Sequence, residues 1–290
     1  MTLNPSADMF TGIPEDERLV VEGLTMTGCV NVEHDQVYEN IRYAIRQQHP
    51  QVWNQTPHNE LACIVCGGAS LDDTEDELVD LWHQGAKVFT VNGSYQWCLD
   101  RNIKPYAQVI IDARPENARF LSPDRPNVRY LLASQCAKES WDAVADRELV
   151  GIWHAVDDGD PAKAILDDYY LKNWQPIQGG TTVGTRCIGL CRVLGFVRMH
   201  IFGMDCCYLN GKGHAYPMPE NEIDMRLQMS FQPGDRVDLK RTFEITPWHI
   251  KHLEDTLRFI KHGGDYFVLN VHGDGLLAYA LSTNATPTEE

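Results

Sequence analysis

Short apolar runs alternate with segments of helical apolar spacing along most of the chain, and this alternation constrains the fold more than any other feature. Apolar runs of this length predict buried strands, and apolar residues three and four positions apart predict helices. Strands that alternate with helices are typical of a parallel sheet with right-handed crossovers. We therefore predict an α/β fold with a doubly wound, mainly parallel sheet. The predicted strands cover residues 61–66, 86–91, 106–111, 127–132, 149–153, 197–202 and 266–271.

The length and composition of the chain fit one large domain with a short lead-in. A chain of 290 residues with 43% hydrophobic content can bury a sizeable core. We expect an N-terminal helical arm over residues 1–60, which includes an amphipathic helix at 34–48. A Rossmann-like domain is expected over residues 61–281, followed by a disordered tail over 282–290.

Charge and cysteine usage narrow the class of partner and the compartment. The chain has 25 Lys and Arg against 41 Asp and Glu, a formal net charge of -16, which disfavours binding to an intact nucleic-acid duplex. Nine cysteines, no signal peptide and no apolar run long enough to span a bilayer favour a reducing cytoplasm and no membrane partner. Cys63 and Cys66 form a CxxC inside an apolar strand, so we interpret both as core residues.

Residues 178–216 combine a glycine- and threonine-rich turn, a helix, a buried strand and a polar loop. Gly180, Thr181 and Thr182 stand where the helix must begin, and a helix start offers free backbone N–H groups to an anion. Asp205 and His214 follow the strand. Polar groups beyond the carboxyl end of a buried strand are where open α/β sheets bind ligands.

A second turn of small residues follows the first strand. Gly67, Gly68 and Ser70 allow a ligand to approach the backbone, although a tight turn alone would use the same residues. Asn92 with Gly93, and Asp112, follow the next two strands, where each could serve either as a helix cap or as a ligand group. Taken together, these strand ends favour a nucleotide site. The irregular residues 217–240 are interpreted as a lid or substrate loop.

The order of several short motifs resembles the family named after the archaeal 6-hydroxymethylpterin diphosphokinase (MptE-like). That family includes the flagellin glycosyltransferases called motility accessory factors, and its fold is similar to that of bacterial sialyltransferases. The resemblance covers residues 61–216, with a weaker echo at 270–275. The motifs that carry it are CGGASL, VNGS, IKPYAQVIID, LLASQC, GGTTVGT and GFVRMHIFGMDCCYLNGKGHAY.

Two positions depart from the pattern of the family. Ala69 stands where the family turn has proline, and Tyr106 stands where the family has an aspartate. The remaining motif positions agree, including Asn92, Asp112 and the Gly203, Asp205, Gly211 and His214 set.

The resemblance implies a transferase that binds a nucleotide-bearing donor. In the glycosyltransferase interpretation, which we favour, the donor is a nucleotide sugar and the acceptor a small molecule or glycan. His214 and Asp205 are the predicted catalytic residues, with His214 as general base or acid, and Asp112 and Asp205 are the candidate Mg²⁺ ligands. The predicted nucleotide-binding residues are Gly67, Gly68, Ser70, Asn92, Gly93, Asp112, Gly180, Thr181 and Thr182.

Two alternatives stay open. In the first, the same residues bind ATP, and Mg²⁺ held by Asp112 and Asp205 assists diphosphoryl transfer to a pterin-like alcohol. In the second, the chain is a nucleotide-binding subunit without catalytic activity.

Overall fold

The computed structural model describes residues 32–156, 160–218, 226–263 and 266–288. Residues 1–31 of the predicted N-terminal arm lie outside these ranges, whereas its predicted helix at 34–48 lies within them. The strands are β1 His58–Val65, β2 Lys87–Val91, β3 Ala107–Ile110, β4 Arg129–Ala133, β5 Val150–Trp153, β6 Phe196–Phe202, β7 Leu227–Gln232, β8 Arg241–Ile245, β9 Val268–Val271 and β10 Thr286–Pro287. The helices are α1 His34–Arg46, α2 Glu75–His83, α3 Ser94–Asp100, α4 Lys138–Asp142, α5 Ala162–Tyr169, α6 Val183–Val193, α7 Pro247–Gly263 and α8 Leu276–Thr283.

Seven strands form one parallel sheet in the order β5-β4-β3-β2-β1-β6-β9. Each neighbouring pair is parallel, for example Ile64 of β1 with Phe89 of β2 and with Ile201 of β6. The chain winds outward from β1 to β5 and then returns through α6 to β6 on the other side of β1. The predicted doubly wound α/β fold is confirmed, and the strand order reverses between β1 and β6.

Both faces of the sheet are buried, which explains why its strands consist of nearly continuous apolar residues. Side chains of one strand point alternately to the two faces. In β1, Ile64 packs into a large cluster that includes α1 and α6, while Cys63 and Val65 pack into a smaller cluster with α2 and α3. Cys66 is also buried, so the predicted core role of this CxxC is confirmed.

A small antiparallel sheet, in the order β10-β7-β8, corrects two predictions. Part of the segment predicted to be an irregular lid forms β7, which pairs with β8. Within the segment 282–290, predicted to be disordered, residues 286–287 form β10, and the Thr288 N–H donates to the Ser230 carbonyl oxygen at 2.9 Å. These strands are half exposed, so their apolar pattern is too weak to identify from the sequence.

Within the described ranges, no helix is both long enough and apolar enough to cross a membrane.

Candidate functional site

The carboxyl edge of the sheet between β1 and β6 is the point where the strand order reverses. Ligands of open α/β sheets bind in the crevice outside the strands at such a point. Here β1 leads into Gly67 and Gly68, and β6 leads into Gly203 and Asp205. The structure therefore brings together the predicted residues of the two motifs.

Asp205 joins the turn after β6 to the turn after β1 through hydrogen bonds. Its Oδ2 accepts a hydrogen bond from the Ser70 backbone N–H at 2.9 Å, and its Oδ1 accepts one from the Ser70 hydroxyl at 2.5 Å. The residue is only 5% exposed. Burial raises the pKa of the Asp205 carboxyl, and the two Ser70 hydrogen bonds oppose that rise. Both carboxylate oxygens are therefore engaged within the protein.

The turn between β9 and α8 packs directly on Ser70 and Asp205. A Cβ at Gly273 would lie 2.6 Å from the Ser70 hydroxyl oxygen, and a Cβ at Gly275 would lie 2.7 Å from the Cα of Asp205. The Leu277 N–H also donates to the Asp205 carbonyl oxygen at 3.2 Å. This close packing explains why glycines stand in the stretch 270–275.

The loop after β6 folds over the turns that follow β1 and β2. A Cβ at Gly67 would lie 2.8 Å from Cδ2 of His214 and 2.5 Å from the Tyr216 hydroxyl, and one at Gly93 would lie 2.9 Å from Cζ of Tyr216. The Ala215 N–H donates to the Gly67 carbonyl oxygen at 3.0 Å. His214 thus lies at the reversal point as predicted, and Tyr216 covers both glycine turns.

Tyr216 was not identified as a site residue from the sequence. Burial, followed by the nearby Cys66 and Cys98 thiols, raises the pKa of its phenol, and a hydrogen bond with the Ser94 backbone opposes that rise. The phenol therefore stays protonated at neutral pH. The sequence feature that could have indicated Tyr216 is its position as an aromatic residue two positions after His214.

Asn92 places a buried acceptor at the end of β2. Its φ of 50° is in the left-handed region, which Asn tolerates better than most residues. The Asn92 carbonyl oxygen accepts a hydrogen bond from Gln108 Nε2 at 2.9 Å, but its side-chain Oδ1 is buried without a partner among the described residues. A buried acceptor left unsatisfied costs about 1–3 kcal/mol, which a ligand donor would recover.

The loop before α6 also reaches the reversal point. A Cβ at Gly184, in the first turn of α6, would lie 2.7 Å from the Cys66 sulfur just beyond β1. Thr182 caps the helix, since its hydroxyl oxygen accepts the Thr185 N–H at 3.1 Å. The hydroxyl and the backbone N–H of Thr181 donate to Oδ2 of Asp255 at 2.9 and 3.2 Å. The loop before α6 was predicted to donate hydrogen bonds to a phosphate. In the structure the Asp255 carboxylate accepts the hydrogen bonds of Thr181.

Helix α7 forms this side of the site, which the sequence analysis missed. Asp255 is 6% exposed, and its Oδ1 accepts a hydrogen bond from Lys251 Nζ at 2.7 Å. A Cβ at Gly180 would lie 2.7 Å from Cβ of Asp255. Because these contacts join residues about 75 positions apart, no local pattern in the sequence predicts them.

His249 of α7 completes a capping box with Thr246. The His249 N–H donates to the Thr246 hydroxyl at 3.3 Å, and the Thr246 N–H donates to His249 Nδ1 at 3.1 Å. The neutral His249 ring therefore carries its proton on Nε2. Burial, and then the charges of His252 and His214, lower the pKa of His249 to about 3. His214 is thus close enough for its charge to reach α7.

The described residues do not fit the predicted magnesium site. The guanidinium of Arg114 binds the Asp112 carboxylate through both Nε and Nη2, the latter at 2.7 Å from Oδ2. Strands β3 and β6 are three strand spacings apart, about 14 Å, whereas Mg²⁺ binds its ligands at about 2.1 Å. Asp112 and Asp205 therefore follow strands that are not neighbours, and no group of three His, Cys, Asp or Glu side chains suited to a metal occurs in the described ranges.

Three histidines are expected to make the protein less stable in acid. Burial lowers the pKa of His154, which is 1% exposed, to about 3, that of His249 to about 3, and that of His252 to about 4. A histidine whose pKa is lower in the folded state takes up a proton on unfolding, so stability falls as the pH drops below about 6.5. His154 alone should cost about 2 kcal/mol between pH 7 and pH 5.

Urea unfolding at pH 7 and pH 5 measures this loss. His154→Gln should reduce the difference between the two pH values, whereas replacement of the exposed His83 by Gln should leave it unchanged. An equal free energy of unfolding at both pH values would contradict the neutral, buried state of His154.

Comparison with known proteins identifies the family of the chain and solved structures that share its fold. The model of a family described as 6-hydroxymethylpterin diphosphokinase MptE-like matches residues 35–211, more than half of the chain. No curated protein sequence matches the chain.

Two solved structures are similar to this one. The MAf glycosyltransferase from Magnetospirillum magneticum AMB-1 is 11% identical over 90% of this chain and 43% of its own, with a TM-score of 0.61. At that identity the similarity shows a shared fold, and the chain spans less than half the length of that glycosyltransferase. A mammalian sialyltransferase is 10% identical over 84% of this chain and 87% of its own, with a TM-score of 0.43.

Proposed function

The chain belongs to the 6-hydroxymethylpterin diphosphokinase MptE-like family, and from this premise we propose that it is a nucleotide-dependent transferase whose donor is a nucleotide sugar. One observation carries the proposal. His214 lies against Gly67 at the reversal point, one strand from the Oδ1 of Asn92, which is buried without a partner in the part of the chain that the structure describes. A proton acceptor and a recognition group therefore meet at the crevice where this fold binds ligands.

In this proposal the donor binds along the turns after β1 and β2. The Asn92 Oδ1 accepts a hydrogen bond from the base or ribose, and the backbone at Gly67 and Gly93 lies close to the phosphate. Because Tyr216 packs on both glycines, its ring has to move or to become one wall of the bound nucleotide's site. The ring of Tyr216 is thus a proposed gate to the donor site.

The transfer itself needs one proton acceptor. The acceptor hydroxyl oxygen forms a bond to the sugar carbon, the bond from that carbon to the phosphate oxygen breaks, and His214 takes the hydroxyl proton. The nucleotide leaves with the electron pair. Asp205 acts as a positioning residue, since its hydrogen bonds to Ser70 fix the turn on which the nucleotide lies.

The description of the family favours a second candidate, a diphosphokinase that uses ATP and Mg²⁺. Its nucleotide would occupy the same turns. The ion would have to bind through the substrate phosphates and other ligands, because Arg114 and Ser70 engage the two carboxylates predicted to hold it.

A thermal-shift screen against CMP, UDP, GDP and ATP, with and without Mg²⁺, tests the proposal. A nucleotide at 100 times its Kd stabilises the folded state by about 2.7 kcal/mol, which should raise Tm by several degrees. We expect CMP, UDP or GDP to give this shift without Mg²⁺. Asn92→Gly keeps the left-handed backbone but removes the amide, and should weaken binding about tenfold.

Each other outcome contradicts the proposal in a different way. Stabilisation by ATP with Mg²⁺ alone would reject a sugar donor and support the diphosphokinase. Nucleotide binding without transfer to any acceptor would support a non-catalytic nucleotide-binding subunit. If no nucleotide raises Tm, the nucleotide site itself is rejected.

A further inference from the structure

A cavity lies at the same edge of the sheet, beyond the carboxyl end of β5. Its volume is about 300 Å³, at the lower end of the range of small-molecule sites. None of the predicted site residues lines it. The lining residues are Val156, Lys163, Asp167, Lys172, Trp174, Pro176 and Gln178.

The lining divides into an apolar wall and a charged rim. Trp174, Val156 and Pro176 form the apolar part, and the rim carries two ammonium groups against one carboxylate. Both carboxylate oxygens of Asp167 accept hydrogen bonds, Oδ2 from Lys163 at 2.7 Å and Oδ1 from the Trp174 indole at 2.8 Å. The rim therefore has one excess positive charge in a chain of formal charge -16.

Lys172 carries this excess charge. No ion pair joins it to another residue in the described part of the chain. Leu171 and Lys172 have φ values of 52° and 63°, two consecutive left-handed residues that are not glycine. Such conformations cost about 1–3 kcal/mol each and concentrate at binding sites. The Lys172 N–H donates to the Asp167 carbonyl oxygen at 3.0 Å, which holds the turn at the rim.

A short segment connects the cavity to the loop before α6. Gln178, which lines the cavity, is followed directly by Gly179 and Gly180. Arg186, only 2% exposed, donates from Nη1 to the Ile177 carbonyl oxygen at 2.7 Å and from Nε to the Gly180 carbonyl oxygen at 2.9 Å. One buried side chain therefore fixes the cavity wall and the loop before α6 together.

From this lining we propose that the cavity binds a pyranose sugar that carries one acidic group. A pyranose has an apolar C–H face, which fits the Trp174 wall, and a rim of hydroxyls, which fits the Gln178 amide. Its acidic group pairs with Lys172. The assignment of this sugar as the acceptor rests on the proposed transferase function, but its binding does not.

Calorimetric titration of the whole chain with D-glucuronate, D-glucose and benzoate tests the cavity. Glucuronate and glucose share the ring and differ in the acidic group, whereas benzoate has the acid without hydroxyls. We expect glucuronate to bind at least tenfold more tightly than either, and Lys172→Met to remove most of that preference. The exposed Lys104, replaced by Met as a control, lies outside the cavity and should have no effect.

Two variants separate this proposal from the donor site. Asn92→Gly should reduce the nucleotide Tm shift to about half but keep glucuronate binding, and Lys172→Met should keep the full nucleotide shift and lose the preference for glucuronate. Equal binding of glucose or benzoate, absence of glucuronate binding, or a Lys172→Met variant that binds glucuronate normally would each overturn the proposal. If nucleotides bind and glucuronate does not, the proposed transferase stands and the cavity assignment falls.

Discussion

Replacement of His214 by Ala should lower turnover about 10²- to 10⁴-fold and leave nucleotide affinity within about twofold. The imidazole is the only group in our proposal that accepts the proton of the acceptor hydroxyl, so its loss acts on the chemical step. The nucleotide contacts come from Asn92 and the glycine turns instead. Turnover of the nucleotide sugar that passes the thermal-shift screen measures the first effect, and the Tm shift measures the second.

His83→Ala is the matched control, because His83 is exposed at the end of α2, on the opposite edge of the sheet. Its turnover should equal that of the unchanged protein. Normal turnover in His214→Ala would refute the catalytic role of this histidine. A joint loss of turnover and of the Tm shift would instead show that His214 acts through nucleotide binding.

Replacement of Gly189 by Ala should destabilise the protein by about 3 kcal/mol or more. Gly189 lies inside α6, where Ala would ordinarily be favoured by about 1 kcal/mol. A Cβ at this position, however, would overlap the carbonyl oxygen of Gln178, which is part of the backbone. The helix and the segment 177–180 must therefore separate, and the Arg186 hydrogen bonds that join them would weaken.

Urea unfolding measures this loss, with Gly184→Ala as the control in the same helix. A Cβ at Gly184 would meet the side chains of Cys66 and Met204 rather than backbone, so its cost should be smaller. If Gly189→Ala were as stable as the unchanged protein, the close packing of the 177–180 segment on α6 would be wrong. A loss equal to that of Gly184→Ala would likewise contradict the role of the Gln178 carbonyl.

The main sheet could be predicted because both of its faces are buried. Every residue in the buried part of a strand such as β1 must then be apolar or small. Such an apolar run can be recognised in the sequence without knowing which strands pair with it. The strands β7 and β8 have partly exposed faces. Their signal is a partial alternation, which polar residues and Pro233 interrupt.

The position of the site could be predicted from the rule for strand ends, but the partners of its side chains could not. Gly67, Gly68, Asp205 and His214 converge as expected because parallel strands end at one edge. Asp205 was predicted as a catalytic residue and a metal ligand, and in the structure its carboxylate accepts hydrogen bonds from Ser70, 135 residues earlier in the chain. The carboxylate of Asp112 pairs with the guanidinium of Arg114, which stands two positions later in the sequence.

The Asp255 carboxylate on Thr181 has a thermodynamic consequence for phosphate recognition. As a tethered group, it reaches the Thr181 donors without losing translational freedom, so it acts as an anion of high effective concentration. A free phosphate would have to compete with that internal anion at the same N–H and hydroxyl. The intrinsic affinity of the loop is therefore partly hidden, and any substitution that withdraws Asp255 from Thr181 would reveal it.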